Sequence, residues 1–327
     1  MAPAVSVIVT VKNEEAAIGR LLDSLLAQTL PPDEIVVVDG GSTDATVAIV
    51  QGYVGRGAPV RVLVRPGCNI SQGRNAAISA ARHDLIASTD AGVRLAPNWL
   101  AELVVPFAAA GGERPDVVSG FFVPDACSPF EKAMGATVLP ALSDVDPARF
   151  LPSSRSVAFT RAAWRRAGGY PEWLDYCEDV VYDLSLREAG CRFAFAPDAT
   201  AYFRPRGSLR AFFTQYYRYA RGDGKADLWR RRHAIRYGTY VLGPLAFRAG
   251  FCYKLLWLAL AVAAGAYLYQ PYRRLLPSLH SESTRARAVA ISAVPVIRLV
   301  GDVAKMVGYP AGVWWRWRHR AGRGWRA

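Results

Sequence analysis

The chain has little cysteine. Its five cysteines (Cys68, Cys127, Cys177, Cys191 and Cys252) are odd in number, widely scattered and never spaced C-x-x-C. That spacing argues against a zinc site or a disulfide framework and predicts reduced, buried thiols in a cytosolic compartment. The stretch MAPAVSVIVTVKNEE lacks a basic n-region and an apolar h-region before a cleavage site, so no signal peptide is expected. The segment VTVKNEEA, which follows the first apolar run, contains no glycine. A dinucleotide fold would place G-x-G-x-x-G there, and a nucleotidyltransferase a Gly-rich basic loop, so both classes are excluded. The tail WWRWRHRAGRGWR is aromatic and basic, but no nucleic-acid-binding motif accompanies it, and nucleic acid is not an expected partner.

What the chain does have is apolar surface and unevenly placed charge. Hydrophobic residues make up 52% of the sequence and the mean hydropathy is +0.10, high for a fully soluble enzyme. Across the 327 residues, 40 Lys and Arg against 27 Asp and Glu give +13. From Arg204 onward there are 23 basic and 4 acidic residues, a net of +19, whereas residues 1–203 hold 17 basic and 23 acidic, a net of −6. Basic charge combined with apolar runs points to an anionic membrane surface, a solvated basic face being the alternative. The length accommodates one large α/β domain and an appendage. The composition divides them into a domain over 1–227 and a helical, basic and apolar region over 228–327.

Apolar runs at Val5–Val11, Glu34–Asp39, Val60–Val64 and Leu85–Asp90 read as strands, with helices over 14–28, 44–53 and 71–81 between them. This alternation with short connections predicts a doubly wound parallel sheet. Further on, 117–123 and Val157–Thr160 read as strands, 161–167 and 179–188 as helices, and 192–196 as a closing strand. Residues 125–155, with Pro129, Pro140, Pro147 and Pro152, read as a long irregular loop of functional type. In the C-terminal region 238–247, 251–269, 288–300 and 306–317 are apolar stretches interrupted by Lys254, Arg298, Asp302 and Lys305. Helices lying in a membrane interface are expected, with a single span over 251–269 as the alternative.

Chemistry concentrates at three acidic segments. Asp39 and Asp90 each end an apolar run, and Glu178-Asp179 open an amphipathic helix. A buried parallel strand ending in Asp delivers a carboxylate to the sheet edge where open α/β folds bind ligands. Three such carboxylates can hold a nucleotide, hold a metal-bound diphosphate and remove a proton. The structural alternatives are a turn cap at Asp39, and a helix cap at Glu178-Asp179 with Asp183 and Arg187 as an exposed i, i+4 pair.

The segments SVIVTVKNE, IVVVDGGSTDAT, GRNAAISAA, LIASTDAG and EDVVYDLSLREAG occur in this order between about residues 4 and 225. Together they resemble the family 2 glycosyltransferases of the GT-A fold. The resemblance implies an α/β fold with a Rossmann-like, mostly parallel sheet flanked by helices, followed by a helical, membrane-associated appendage. It implies inverting transfer of a hexose from a nucleotide-diphospho-sugar, UDP-linked by family weight, to an acceptor hydroxyl. The basic, apolar C-terminal region adds a lipid-linked acceptor at the cytoplasmic face of the cell membrane. A non-catalytic, nucleotide-binding membrane scaffold is the rival reading, and the Glu178-Asp179 pair argues against it.

By the same resemblance Val11, Glu14, Asp39, Arg74, Thr89 and Asp90 line the nucleotide site. Asp39 and Glu14 meet the base or ribose, and Arg74 pairs with phosphate or with Asp90. Asp90 is the metal residue, for Mg²⁺ or Mn²⁺. The family's Asp-x-Asp is here Asp90-Ala91-Gly92, which lacks the second carboxylate. A histidine usual after the catalytic helix is replaced in TAYFRPRGS by Arg204 and Arg206. Asp179 is the implied general base, with Glu178 orienting it or the acceptor. Trp173 is placed to stack on a sugar or to fill the core. Gln215 and Arg218, in a segment resembling Q-x-x-R-W with Tyr219 for Trp, form an acceptor or diphosphate element or an aromatic interfacial helix.

Overall fold

In the computed structural model, which describes residues 3–108 and 114–319, the first strand has apolar side chains on both faces. Val5, Val7, Val9 and Val11 enter one core layer and Ile8 enters a second. That alternation, buried on both sides, is what a central parallel strand requires. The chain divides into two compact units, one of residues 1–125 and 142–204 and one of residues 126–141 and 205–327. The division thus falls at 204, where composition had placed it at 227, and the second unit also takes an internal segment.

The first unit runs β1 (Val5–Val11), α1 (Ile18–Leu26), β2 (Glu34–Asp39), α2 (Thr46–Gly55), β3 (Val60–Val64), α3 (Ile70–Ala80), β4 (Leu85–Asp90), β5 (Val93–Leu95), α4 (Trp99–Ala108) and β6 (Val117–Pro124). The chain next gives α5 (Pro129–Val138) to the second unit. It returns with β7 (Val157–Thr160), α6 (Arg161–Arg166), α7 (Glu178–Glu188) and β8 (Phe193–Phe203). The eight strands form one sheet in the order β3-β2-β1-β4-β7-β6-β8-β5. β3, β2, β1 and β4 are mutually parallel, β7 is antiparallel to β4 and β6, and β5 is antiparallel to β8. The sheet is therefore mixed rather than wholly parallel. Residues from α1, α2 and α4 fill one core layer, and those from α3, α6 and α7 the other.

Chain direction reverses its order at β1, which has β2 on one side and β4 on the other. This is the switch point at which open sheets form a crevice at their carboxyl ends. The register puts Val11 beside Asp39 and Thr10 beside Asp90 at that edge. Close packing sets α3 beneath it. A Cβ at Gly73 would lie 2.9 Å from Thr10 Cγ2, so glycine lets the helix approach β1.

The second unit adds α8 (Leu209–Ala226), α9 (Arg230–Ala249), α10 (Leu255–Leu275) and α11 (Thr284–Arg318). α8 and α11 approach to backbone contact: a Cβ at Gly308 would lie 2.3 Å from the Tyr217 carbonyl oxygen, and one at Gly312 2.1 Å from that of Arg221. Ala133 and Met134 of α5 share a core with Phe212 of α8, Leu275 of α10 and Val294 and Ile297 of α11. The two last apolar stretches, expected as separate helices, are one 35-residue helix that continues through Pro295 and Pro310. Residues 320–327 of the aromatic and basic tail lie outside the described residues. α9 and α10 leave Ile235, Leu242, Leu245, Leu255, Leu258 and Val262 exposed. Among the described residues one helical segment, Leu255–Leu279, is long and apolar enough to cross a membrane by length and composition.

Candidate active site

The loops after β1 and β2 are tied to each other. Asn13, in the left-handed region at φ 56°, accepts from the Thr43 backbone N–H at 2.9 Å, and its own N–H donates to Ser42 Oγ at 2.8 Å. The Glu14 backbone N–H donates to Thr46 Oγ1 at 2.8 Å. Asp39 is fully buried at the end of β2. Its Oδ1 accepts from the backbone N–H groups of Gly41 and Ser42, both at 2.9 Å, and its Oδ2 accepts from Ser42 Oγ. Asp39 therefore caps the Gly40–Thr43 turn, the structural alternative named above. Gly41 takes φ +90°, which a residue with a Cβ adopts only with strain. The carbonyl of Val11 accepts from Gly40 N–H at 2.9 Å, closing the same edge.

Arg74 is the hub of the second cluster. α3 begins in a capping box between Asn69 and Gln72, which fixes the helix start five residues before Arg74. The guanidinium is only 3% exposed. Nη1 donates to Glu178 Oε1 at 2.7 Å and Nη2 donates to Asp90 Oδ1 at 2.9 Å. The charge also lies over the Tyr170 ring, 5.2 Å from its centroid. One side chain thus joins the carboxyl end of β4 to the start of α7. Neighbouring Asn75 holds the intervening loop: its Nδ2 donates to the Tyr170 carbonyl, and its Oδ1 accepts from the Tyr170 backbone N–H, both at 2.9 Å.

Glu178 is buried, and its carboxyl pKa is raised to about 7. Burial is the largest cause and the Asp179 charge adds to it, while Arg74 opposes both. Asp179 is less buried and accepts from the Val180 backbone N–H at 2.9 Å through Oδ1. The helix is preceded by Cys177 at φ 64°, an uncommon conformation for a residue with a side chain, at the point where the chain turns into α7. Of the two acidic side chains, Glu178 is committed to Arg74 and Asp179 retains access.

Asp183 does not form the exposed pair with Arg187. It is buried one turn below Asp179, Oδ2 has no hydrogen-bond partner, and burial pushes its pKa well above the usual carboxylate range, with the Asp179 charge adding. Arg187 instead donates to the Phe150 carbonyl at 3.1 Å. Tyr170, stacked on Tyr182 at 4.0 Å, shares this interior with Asp183. The linear pattern marked Asp183 only as half of an exposed pair, because its burial depends on residues far away in sequence.

Asp90 faces a second guanidinium that the sequence did not single out. Arg155 Nε lies 3.6 Å from Asp90 Oδ2. Thr89 Oγ1 donates to the Arg155 carbonyl at 3.0 Å, which pins this loop to β4. Among the described residues no three His, Cys, Asp or Glu side chains group as metal ligands. One carboxylate fits a cation held mainly by substrate phosphates, as Mg²⁺ commonly is. Trp173 is half-buried in the loop before α7. Gln215 and Arg218 lie on α8 of the other unit, where Gln215 Nε2 donates to Tyr219 Oη at 2.8 Å.

The family model described as Glycosyl transferase family 2 matches residues 6–158, from β1 to β7, and so includes Asp39, Arg74 and Asp90. That match takes in just under half of the chain. Its fold is GT-A, and the mannosyltransferase PcManGT from Pyrobaculum calidifontis, solved in complex with GDP-Man and Mn2+, is similar in fold. That likeness has a TM-score of 0.58 at 19% identity over 96% of this chain and 88% of the other. Among curated relatives, the uncharacterized glycosyltransferase EpsJ of Bacillus subtilis (strain 168) is 40% identical over 90 residues. That match covers 28% of this chain and 26% of EpsJ. The succinoglycan biosynthesis protein ExoA of Rhizobium meliloti (strain 1021) is 26% identical over 253 residues, 73% of this chain and 74% of ExoA. The match with ExoA is long enough to extend past β7, beyond the family model.

Proposed function

We propose that the chain moves a hexose from a nucleotide-diphospho-sugar, UDP-linked, to an acceptor hydroxyl, with inversion at the anomeric carbon. The observation that carries this reading is the Arg74 bridge, which ties Asp90 to Glu178 with bonds of 2.9 and 2.7 Å. It couples a carboxylate at the sheet's ligand-binding edge to the acidic pair that opens α7. The match of residues 6–158 to the Glycosyl transferase family 2 model supports the same assignment.

In this reading the rigid turn held by Asp39, with Val11, Glu14 and Thr89 around it, receives the nucleotide. Asp90 would hold a divalent cation, Mg²⁺ or Mn²⁺, which supplies charge neutralisation to the leaving diphosphate. Asp179 accepts the proton of the acceptor hydroxyl as its oxygen attacks the anomeric carbon, and the carbon–oxygen bond to the diphosphate breaks on the opposite face. Glu178, neutralised by Arg74, positions Asp179 and excludes water from the base. Trp173 is assigned to acceptor or diphosphate contacts.

The second unit is the membrane-binding part in this proposal, on the cytoplasmic face, and the acceptor is lipid-linked. The net charge of +19 over residues 204–327 and the exposed apolar residues of α9 and α10 support that placement. A thermal-shift screen of nucleoside diphosphates, with and without Mn²⁺, tests the donor reading. A ligand at a hundredfold excess over its Kd stabilises the native state by about 2.7 kcal/mol. If no nucleoside diphosphate raises the melting temperature, the donor assignment is wrong.

A further inference from the structure

The environment of Asp90 shows where a diphosphate would find positive charge. Its carboxylate, 29% exposed, lies between two guanidiniums. Arg74 is enclosed: it is 3% exposed, and its two terminal nitrogens are taken by carboxylates at 2.7 and 2.9 Å. Arg155 is the more exposed of the two. It is 25% exposed, and its Nε lies 3.6 Å from Asp90 Oδ2, within ion-pair range but beyond hydrogen-bond distance.

Arg155 is also held ready. Its guanidinium lies over the Phe203 ring, 4.7 Å from the centroid, and Nη1 donates to Ser153 Oγ at 3.1 Å. The bond from Thr89 Oγ1 to the Arg155 carbonyl fixes the backbone below it. Space is present as well. After Asp90 the chain turns through Ala91-Gly92, and a Cβ at Gly92 would meet nothing within 4 Å.

We propose that Arg155 is a donor-binding residue that contacts the diphosphate of the nucleotide sugar, leaving its long contact with Asp90 to do so. The inference rests on the nucleotide-sugar reading of the site. A guanidinium presents paired N–H donors matched to phosphate oxygens, and a preorganised one loses little conformational freedom on binding. The exchange has a second consequence. When Arg155 turns to phosphate, Asp90 Oδ2 is released for a cation, so phosphate binding and cation binding at this edge reinforce one another.

The test is calorimetric titration of the full chain with uridine, UDP, guanosine and GDP, in chelator and in Mn²⁺. The variants are Arg155→Gln and Arg155→Lys, each first shown to melt like the parent protein. Hydrogen bonds to charged groups predict that Arg155→Gln weakens UDP or GDP binding roughly tenfold to a hundredfold in chelator. The matching nucleoside should bind unchanged, and Arg155→Lys should keep part of the diphosphate affinity by its charge. Mn²⁺ should strengthen diphosphate binding to the parent more than to Arg155→Gln. If Arg155→Gln binds the diphosphate as the parent does, Arg155 has no such role, while the donor reading stands. Equal losses of nucleoside and diphosphate affinity would make Arg155 a support for the loop only. A parent protein that binds neither UDP nor GDP would overturn the donor reading, and this inference with it.

Discussion

Replacing Arg74 by methionine removes the charge while keeping an unbranched apolar stem in a fully buried position. The parent residue makes charge-assisted bonds of 2.7 Å to Glu178 and 2.9 Å to Asp90. Breaking a buried ion pair by deleting one partner costs about 3–5 kcal/mol, chiefly because the other charge is left uncompensated. Here the loss can be partly relieved. The Glu178 pKa is already raised to about 7 against the opposing influence of Arg74, so without Arg74 it rises further and the side chain becomes neutral by taking a proton. Asp90 is partly exposed and keeps Arg155. The expected cost is therefore about 3 kcal/mol near pH 5.5, where Glu178 is protonated, and larger by about 1 kcal/mol or more at pH 8, where protonation must be forced. Arg74→Lys should fall between, since a single ammonium does not reproduce the two-nitrogen fork. Urea denaturation followed by circular dichroism at the two pH values measures both quantities. An Arg74→Met protein within 1 kcal/mol of the parent at pH 8 would refute the bridge as the link between β4 and α7.

Glu178→Gln isolates the titration of one carboxyl. Its folded-state pKa is raised, so the native protein holds more protons than the unfolded chain between the ordinary glutamate value of 4.5 and about 7. Stability from this group therefore declines as pH rises through that window, by roughly 3 kcal/mol; the difference in stability between parent and Glu178→Gln, measured from pH 4 to 8, should show that slope, and a flat difference would contradict it. Asp39→Ala removes the acceptor for the Gly41 and Ser42 N–H groups and the Ser42 hydroxyl, and should lower stability by about 1–3 kcal/mol and weaken nucleotide binding equally with Mn²⁺ or chelator; calorimetry showing unchanged UDP affinity would remove the turn from the nucleotide site. The full chain should co-sediment with anionic vesicles at low salt, since each basic residue near such a surface contributes roughly 1 kcal/mol. Release by high salt or carbonate marks interfacial attachment and a detergent requirement marks a span, whereas protein left wholly in solution would contradict the membrane assignment.

The parallel half of the sheet was legible because its strands are buried on both faces and end in conspicuous residues. Asp39, Asp90 and the Glu178-Asp179 pair all stand at element boundaries, where apolar periodicity stops and a carboxylate begins. α5 was missed inside a proline-rich stretch read as irregular. Pro129 in fact sits in the first turn behind the Ser128 cap, a position where proline favours a helix. The last strand is twice as long as expected because Pro197 and a register shift against β6 interrupt its pattern without ending it. Arg155 and the burial of Asp183 were illegible for another reason. Arg155 matters through Asp90, and Asp183 through the aromatic interior around Tyr170, contacts that exist only once the chain has folded. The charge change at Arg204 marked the break, but the assignment of α8 to the second unit was hidden likewise, since α8 packs on α11, about eighty residues away.

The central claim is a nucleotide-sugar transfer driven by Asp179, and release of nucleoside diphosphate tests it most directly. Purified parent protein and Asp179→Asn, incubated with a panel of UDP- and GDP-sugars, would be followed by coupled detection of UDP or GDP, with donor affinity measured in parallel. The account predicts release by the parent from at least one donor, and at least a hundredfold slower release by Asp179→Asn at nearly unchanged donor affinity. Asp179→Asn turning over at the parental rate, or a parent that releases nothing from any donor, would contradict it.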